Sequence, residues 1–135
     1  MTVIKNKRGE SDMAFLATAR KLQIITIQKC KKFPKAYTFY LGVPIANLAK
    51  EVHNYVKQGN SIYPTNKHEV QLRRDCFIKA HATLQSLVSQ AEVAAEVIGI
   101  KGQDMHEWME IVVEEIKLIK AVMKSDHDRY KNIKE

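Results

Sequence analysis

Residues 66–98, NKHEVQLRRDCFIKAHATLQSLVSQAEVAAEVI, contain neither glycine nor proline and carry apolar side chains at three- and four-residue spacing. That period places side chains on one face of an α-helix. Asn66 with Glu69 three residues later is the pattern of a capping box at a helix start. The stretch predicts a helix over residues 67–98, roughly 48 Å long, which must overhang its neighbours, bend or break. Its predicted core stripe is Val70, Phe77, Ala80, Leu84, Leu87, Ala91, Ala94 and Ile98.

Glycine and proline divide the rest of the chain in the same way. The five glycines and three prolines fall in four clusters, and the stretches between clusters contain neither residue. Because both residues disfavour helix interiors, each clean stretch predicts one helix. The predicted bounds are residues 11–32, from residues 42–44 to residues 58–59, and residues 103–124. The inward positions predicted for these three helices are Phe15, Ala19, Leu22, Thr26 and Cys30 with Leu16 and Ile27 beside them, then Ile45, Leu48, Ala49, Val52 and Val56, then Met105, Trp108, Val112, Ile116, Ile119 and Met123.

The fourth predicted helix has its own terminal signals. Asp104 and Glu107 repeat the capping-box spacing at its start. Glutamates followed by lysines predict ion pairs on its outer face, ending in lysines as the helix dipole prefers. The residues concerned are Glu107, Glu110, Glu114, Glu115, Lys117, Lys120 and Lys124.

Four helices joined by short turns favour an all-α fold, an antiparallel up-down-up-down four-helix bundle. A chain of 135 residues is long enough for one domain with its own core. We expect a flexible basic tail at residues 1–10, the bundle over residues 11–125 and a charged tail at residues 126–135. No run approaches the roughly 18 apolar residues of a membrane span, and the N-terminus lacks the apolar centre of a secretion signal, so we expect a cytoplasmic protein.

The positive charge is concentrated near the N-terminus. The formal net charge is +7, and residues 1–35, with nine basic and two acidic groups, account for a net +7 by themselves. Such segregation favours a docking surface for nucleic acid or for an acidic protein. A solvated helix face beside a floppy tail would produce the same pattern without a partner.

Residues 29–40, KCKKFPKAYTFY, combine four lysines with four aromatic residues. Lysines near a helix C-terminus stabilise the helix dipole, which is a structural reason for some of them. Aromatic rings in a connection usually close the end of a bundle. Interleaved lysines and rings would instead suit a single nucleic-acid strand, through phosphate contacts and base stacking. The sequence leaves both interpretations open.

Arg73 and Arg74 lie in the first two turns of the third predicted helix, beside its apolar stripe. At least one of them must lie near the edge of that stripe. Its stem would then pack against the core while its guanidinium pairs with Asp75 or Glu69. Contact with a phosphate or with a partner's carboxylate is the functional alternative.

Sequence patterns of catalysis are missing. The chain has no glycine-rich phosphate loop, no G-x-S-x-G and no H-E-x-x-H, and its five histidines are scattered. Cys30 and Cys76 are too few and too far apart for a zinc site or a disulfide framework. We therefore expect no enzyme activity, no metal and no cofactor. The remaining alternative, a bundle with a hidden metal centre, is decided by metal analysis of the purified protein.

Two stretches of the chain carry a family resemblance. They are residues 29–52, KCKKFPKAYTFYLGVPIANLAKEV, and residues 73–97, RRDCFIKAHATLQSLVSQAEVAAEV. They resemble the accessory variability determinant proteins of bacterial and phage diversity-generating retroelements, small four-helix bundles related to proteins encoded in ribosomal-RNA intervening sequences. The most specific part is K-F-P-K followed by L-G, at residues 32–35 and 41–42. The resemblance covers roughly residues 12–125, and Pro44 departs from it.

The resemblance implies a non-enzymatic subunit of a ring-like homopentamer. It also implies binding to a reverse transcriptase and to its template RNA or cDNA, in support of mutagenic reverse transcription in a bacterial host cell. The alternative is a structural oligomeric bundle of the intervening-sequence type with no polymerase partner. The residues predicted to bind nucleic acid or a partner are Arg20, Lys21, Lys31, Lys32 and Lys35, followed by Arg73 and Arg74.

Overall fold

Four long helices make up most of the structure, a computed structural model that describes residues 13–135. They are α1 (Ala14–Lys31), α2 (Val43–Asn60), α3 (Lys67–Ala94) and α4 (Gly102–Tyr130). No strand occurs within the described residues, so the predicted all-α class and the four predicted helices are confirmed there. The predicted tail at residues 1–10 lies outside the described part of the chain.

A short helical segment, the junction (residues 32–42), joins α1 to α2. It contains a 3₁₀ turn at Lys35–Tyr37 and a π turn at Thr38–Gly42. Pro34 has φ −55° and ψ 144°, and a proline disfavours helix in the residue before it, so α1 ends ahead of it. Pro44 lies in the first turn of α2, where its missing N–H removes no intrahelical bond. α2 therefore starts where the sequence predicts.

The cap predicted for α3 is present. The Asn66 side chain accepts a hydrogen bond from the backbone N–H of Glu69 at 2.9 Å. The Glu69 carboxylate accepts hydrogen bonds from the backbone N–H and the hydroxyl of Thr65. In a capping box this carboxylate would accept from the N–H of the cap residue itself, which here is Asn66. The predicted long helix breaks near its end into a π turn, Ala95–Gly99. It stops where Gly99 adopts φ +79°, which glycine tolerates without strain.

The start of α4 differs from its prediction. The helix begins at Gly102 without a side-chain cap. Asp104 and Glu107, the predicted capping pair, accept hydrogen bonds from the Lys29 ammonium instead, at 3.3 and 3.1 Å. The two carboxylates therefore bind a lysine of α1, whereas the capping-box pattern predicted that they would bind backbone N–H groups at the start of α4.

The end of α4 also differs. The helix continues to Tyr130, so the predicted charged tail at residues 126–135 begins inside it. Asp126 is buried, and the Lys134 carbonyl accepts a hydrogen bond from the Lys67 N–H at 2.9 Å. The C-terminal residues therefore pack against the start of α3 and do not form a separate tail.

The merged apolar stripes of the four helices form the core. The predicted inward positions are buried in most cases, and Trp108 and Phe77 are the largest side chains with no exposed surface. The Trp108 indole N–H donates to the Thr26 hydroxyl at 3.0 Å, so both buried polar groups have a partner. The predicted positions at the edges of the stripes are half-buried: Cys30, Leu48, Val70, Ile98, Met105, Ile116 and Met123.

Each helix packs against two others, in the order α1, α2, α3, α4 and back to α1. Contacts at the helix ends show which ends are neighbours. Lys29 and Asp104 join the C-terminal end of α1 to the N-terminal end of α4. Arg73 and Asp126 join the N-terminal end of α3 to the C-terminal end of α4.

Candidate nucleic-acid interface

The basic residues predicted as binding residues on α1 lie on its outer face. Arg20, Lys21 and Lys31 are exposed and have no ion-pair partner within residues 13–135. Ile24 and Ile27 are 42% and 43% exposed and lie between these cations, so the prediction that Ile27 lies beside the buried stripe is wrong. Their three- and four-residue spacing places Arg20, both isoleucines and Lys31 on one face of the helix. α1 thus presents a stripe of cations that flanks exposed apolar side chains.

Lys32 and Lys35 continue this basic surface into the junction. Both are exposed, and neither has an ion-pair partner in the described part of the chain. Lys32 also lines a groove of about 220 Å³ together with Lys101. No aspartate or glutamate occurs from residue 13 to residue 50, so α1 and the junction contain no anionic side chain. We call the exposed cations Arg20, Lys21, Lys31, Lys32 and Lys35 the basic surface.

His53 on α2 lies close to positive charges on both α1 and α2. His53 on α2 donates from Nδ1 to the side-chain oxygen of Gln23 on α1, with 2.7 Å between the atoms. Burial lowers the pKa of His53, and the neighbouring charges of Lys57 and Arg20 lower it further. The imidazole is therefore neutral near pH 7 and adds no charge of its own.

Lys29 belongs to the same run of lysines but has a structural role. The residue is 7% exposed, and its ammonium lies 3.1 Å from Glu107 and 3.3 Å from Asp104. Burial by itself lowers the pKa of Lys29, but hydrogen bonds to these two carboxylates outweigh it and hold the pKa above its ordinary value. Lys29 ties the end of α1 to the start of α4 and is not part of the basic surface.

The aromatic rings of the junction fall into two groups. Phe33 is buried and Tyr37 is half-buried, as expected of rings that close the end of a bundle. Phe39 and Tyr40 are 84% and 80% exposed. The interpretation of these rings as a plug is therefore right for the first two and wrong for the last two. Residue types alone did not separate the groups, because all four rings lie within eight residues.

Arg73 is buried and has partners inside the fold. Its Nε donates to Asp126 at 2.7 Å, and Nη1 donates to the carbonyl oxygens of Gly59 and Ile62 at 3.2 and 3.1 Å. Its stem packs beside the core, as predicted, but the carboxylate partner comes from α4 rather than from its own helix. The predicted binding role is corrected accordingly, because the guanidinium of Arg73 is occupied by the fold.

Arg74 has a different environment from its neighbour. Its side chain is exposed and lines a groove of about 280 Å³ between α3 and the last turns of α4, beside Met123 and Tyr130. The residue is accessible to a partner but lies on a different helix from the basic surface. We keep Arg74 as a secondary candidate.

The described residues offer no arrangement typical of a metal or thiol site. Residues 13–135 hold no group of three His, Cys, Asp or Glu side chains that could bind a metal ion. Burial raises the pKa of the Cys30 thiol to about 11, and burial also raises that of Cys76, so neither thiolate is favoured near pH 7. None of the helices between residues 13 and 135 combines the length and hydropathy that crossing a membrane requires.

Comparisons of the chain with models of protein families, with curated proteins and with solved structures find no match. Among the described residues, the basic surface is the feature with a clear chemical preference, because unpaired cations attract an anionic partner.

Proposed function

We propose that this chain is a non-enzymatic accessory subunit of a diversity-generating retroelement, acting in the cytoplasm of a bacterial host by binding template RNA or cDNA. The observation that carries the proposal is the basic surface on α1 and the junction. None of its five cations pairs with a carboxylate among residues 13–135, so their charges are free to meet phosphates. The family resemblance supplies the biological setting.

The physical basis of binding is the release of counterions. Each phosphate that a lysine or arginine neutralises frees condensed ions, which gives an affinity independent of base sequence. That affinity falls steeply as salt rises. An accessory subunit that follows a template of changing sequence needs binding of this kind, because base-specific contacts would restrict it to one site.

A reverse transcriptase is the proposed protein partner, and a homopentamer is the proposed assembly. The net charge is zero over residues 66–99 and −1 over residues 100–135, so α3 and α4 offer surfaces that do not compete for phosphates. Apolar side chains exposed on these helices suit contacts with protein. They are Leu72, Ile78, Val93 and Val113, each between 43% and 48% exposed.

The proposal includes an antiparallel bundle with up-down-up-down topology. Two contacts support it. Lys29 with Asp104 brings the end of α1 to the start of α4, and Arg73 with Asp126 brings the start of α3 to the end of α4. In this arrangement both ends of the bundle are closed by an ion pair.

Titration of a labelled RNA at about 50 and about 200 mM salt tests the nucleic-acid part. If all five cations meet phosphates of a single strand, the affinity falls on the order of a hundredfold between these conditions. Charge reversal of Lys31 and Lys32 (K31E/K32E) should weaken binding and reduce the slope of log affinity against log salt by about 1.4.

The matched control is K120E/K124E on α4, which changes the net charge by the same amount away from the basic surface. Circular dichroism checks that both double variants remain helical. An affinity that does not respond to salt, or an equal loss in both double variants, contradicts the proposal.

Co-expression with a reverse transcriptase encoded beside this gene tests the protein partner. We expect the two proteins to purify together after nuclease treatment, because the proposed contact does not depend on RNA. A genome without a neighbouring reverse transcriptase and paired template and variable repeats would instead favour the intervening-sequence type.

A further inference from the structure

Phe39 and Tyr40 are adjacent rings that the fold leaves in solvent. They are 84% and 80% exposed, more than any other large hydrophobic side chain within residues 13–135. Two neighbouring exposed rings are unusual, because aromatic side chains are favoured in cores and interfaces. Their position in the junction therefore requires an explanation.

Buried neighbours hold these rings in place. Phe33 and Leu41, on either side of the pair in sequence, are 8% and 7% exposed. Gly42 lies close enough to Phe33 that an added Cβ would be 3.8 Å from its ring. The backbone between these anchors is helical throughout Lys35–Tyr37 and Thr38–Gly42. The two rings thus project from an ordered segment, which reduces the entropy cost of binding a ligand.

The charge around the rings points to an anionic ligand. Lys35 lies four residues before Phe39, and Lys31 and Lys32 end α1 just upstream. All three lysines are exposed, and no acidic residue occurs between residues 13 and 50. A ligand that satisfies both features carries negative charge and flat aromatic groups along its length.

We propose that Phe39 and Tyr40 form a stacking platform for the bases of an unpaired nucleic-acid strand whose phosphates lie on Lys31, Lys32 and Lys35. This inference rests on the proposed function and narrows it from nucleic acid in general to single strands. Bases stack on aromatic rings irrespective of sequence, because every base has a π-face. In a duplex the bases stack on each other and do not present that face.

The same features disfavour a two-fold contact between two copies of the chain through these rings. A two-fold contact through the rings would bring like patches together, with lysines opposite lysines. Such juxtaposed charges repel each other, whereas a strand brings phosphates to them.

The test compares two strands of equal charge. One is an oligothymidylate of about 12 nucleotides, and the other is an abasic strand of the same length, which keeps the phosphates but lacks bases. Stacking on both rings predicts that the oligothymidylate binds wild-type protein at least tenfold more tightly than the abasic strand. This comparison uses wild-type protein, so it does not depend on whether a variant folds.

The variant F39L/Y40L removes the π-faces and keeps apolar side chains. We expect it to bind both strands with the affinity that wild type has for the abasic one. Tyr63→Ala is the matched control, because Tyr63 is 79% exposed but lies in the α2–α3 connection, at the other end of α2 from the junction. This control should keep the wild-type preference.

The outcomes separate the two proposals. Equal, salt-dependent binding of both strands by wild type overturns the stacking platform and leaves the basic surface intact. No binding of either strand, or of a duplex, at low salt overturns the proposed function together with the platform. A change in the molecular mass of F39L/Y40L by light scattering, with an unchanged strand preference, shows that another copy covers the rings and also overturns the platform.

Discussion

Arg73 and Arg74 are sequence neighbours whose side chains have opposite environments. Arg73 is 7% exposed and is bound by Asp126 and by two backbone carbonyls, while Arg74 is exposed. The Arg73 guanidinium also lies 5.1 Å from the centre of the Phe77 ring. A buried charge of this kind stays in place because Asp126 and the carbonyls replace the water it has lost.

Replacing Arg73 with methionine should lower the free energy of unfolding by about 3–5 kcal/mol, since it leaves the Asp126 carboxylate buried without its partner. Arg74→Met, on the exposed side, should change it by less than about 0.5 kcal/mol. Urea denaturation measures both. R73M/D126L should recover much of the loss, because it removes both charges together. Equal effects of the two single variants would show that the ion pair is not structural.

Glu115 differs from the other buried ionisable residues, Lys29, Arg73 and Asp126, because it has no hydrogen-bond partner among the described residues. It is fully buried on α4, and neither carboxylate oxygen has a hydrogen-bond partner among the described residues. Burial raises the pKa of Glu115 from 4.5 to about 9, and the charge of Glu114 adds to the rise. The expectation that Glu115 forms outer-face ion pairs is therefore wrong. The signal was present, because Glu115 is seven residues after Trp108 and so shares its face.

Glu115 makes stability depend on pH. The unfolded carboxyl loses its proton near pH 4.5, whereas the folded one keeps it to about pH 9, so the native state binds the extra proton. The free energy of unfolding therefore falls as pH rises across that interval. Glu115→Met should raise it, on the order of 1–3 kcal/mol at pH 8, and should have less effect at pH 4.

Urea midpoints from pH 4 to pH 9 measure this dependence on Glu115. Glu92→Gln is the matched control, because Glu92 is exposed on α3 and its charge does not contribute to the raised pKa of Glu115. If the urea midpoints of E115M and of wild type change with pH in the same way over the whole range, the Glu115 carboxyl does not cause the pH dependence of stability.

At the scale of elements, α2 and α3 approach each other closely at Gly59. Gly59, near the end of α2, is buried against the Phe77 ring on α3. A Cβ at Gly59 would lie 2.9 Å from that ring and 3.2 Å from the Cβ of Cys76. The glycine is therefore needed for the close approach of two helices, although alanine is the better helix former.

Gly59→Ala should lower the free energy of unfolding by about 1–3 kcal/mol, because the ring of Phe77 must shift in a filled core. Gly102→Ala is its control, since nothing lies within 4 Å of a Cβ at that position. Thermal unfolding of the two variants measures the difference. A Gly59→Ala variant as stable as wild type would mean that α2 and α3 can move apart to accommodate the methyl group with no loss in the free energy of unfolding.

At the scale of the whole molecule, positive charge is unevenly distributed, because α1 and the junction contain no acidic residue whereas residues 66–135 are close to neutral. α1 and the junction carry the basic surface, while exposed Leu72, Ile78, Val93 and Val113 lie on α3 and α4. A protein that binds nucleic acid on one side and protein on the other requires such a division. Assembly through α3 and α4 would place the basic surfaces of several copies around the outside of a ring.

Light scattering measures the predicted assembly directly. We expect a particle of about five times the 15.5 kDa chain mass, stable at high salt because its contacts are apolar. Val93→Glu, which puts a charge on an exposed apolar position of α3, should shift the mass toward the monomer, whereas K31E/K32E should leave it unchanged. A wild-type particle of 15.5 kDa would contradict the assembly.

The sequence by itself determined the local features of this protein. The confinement of glycine and proline to four clusters predicts four helices, and the stripes of Ile45 to Val56 and of Phe77 to Ala94 identify their buried faces. The cap at Asn66 and the start of α2 with Pro44 in its first turn are also local, because the residues that form them lie within one turn. The concentration of positive charge near the N-terminus is likewise a property of the chain.

Only the tertiary structure decided which charged and aromatic residues are available to a ligand. Lys29 and Lys31 are two residues apart, yet one pairs with carboxylates 75 and 78 residues away and the other meets solvent. The same holds for Arg73 and Arg74, and for Phe33 and Phe39. Burial depends on what the other helices bring to each position, and residue type and spacing along one helix do not contain that information.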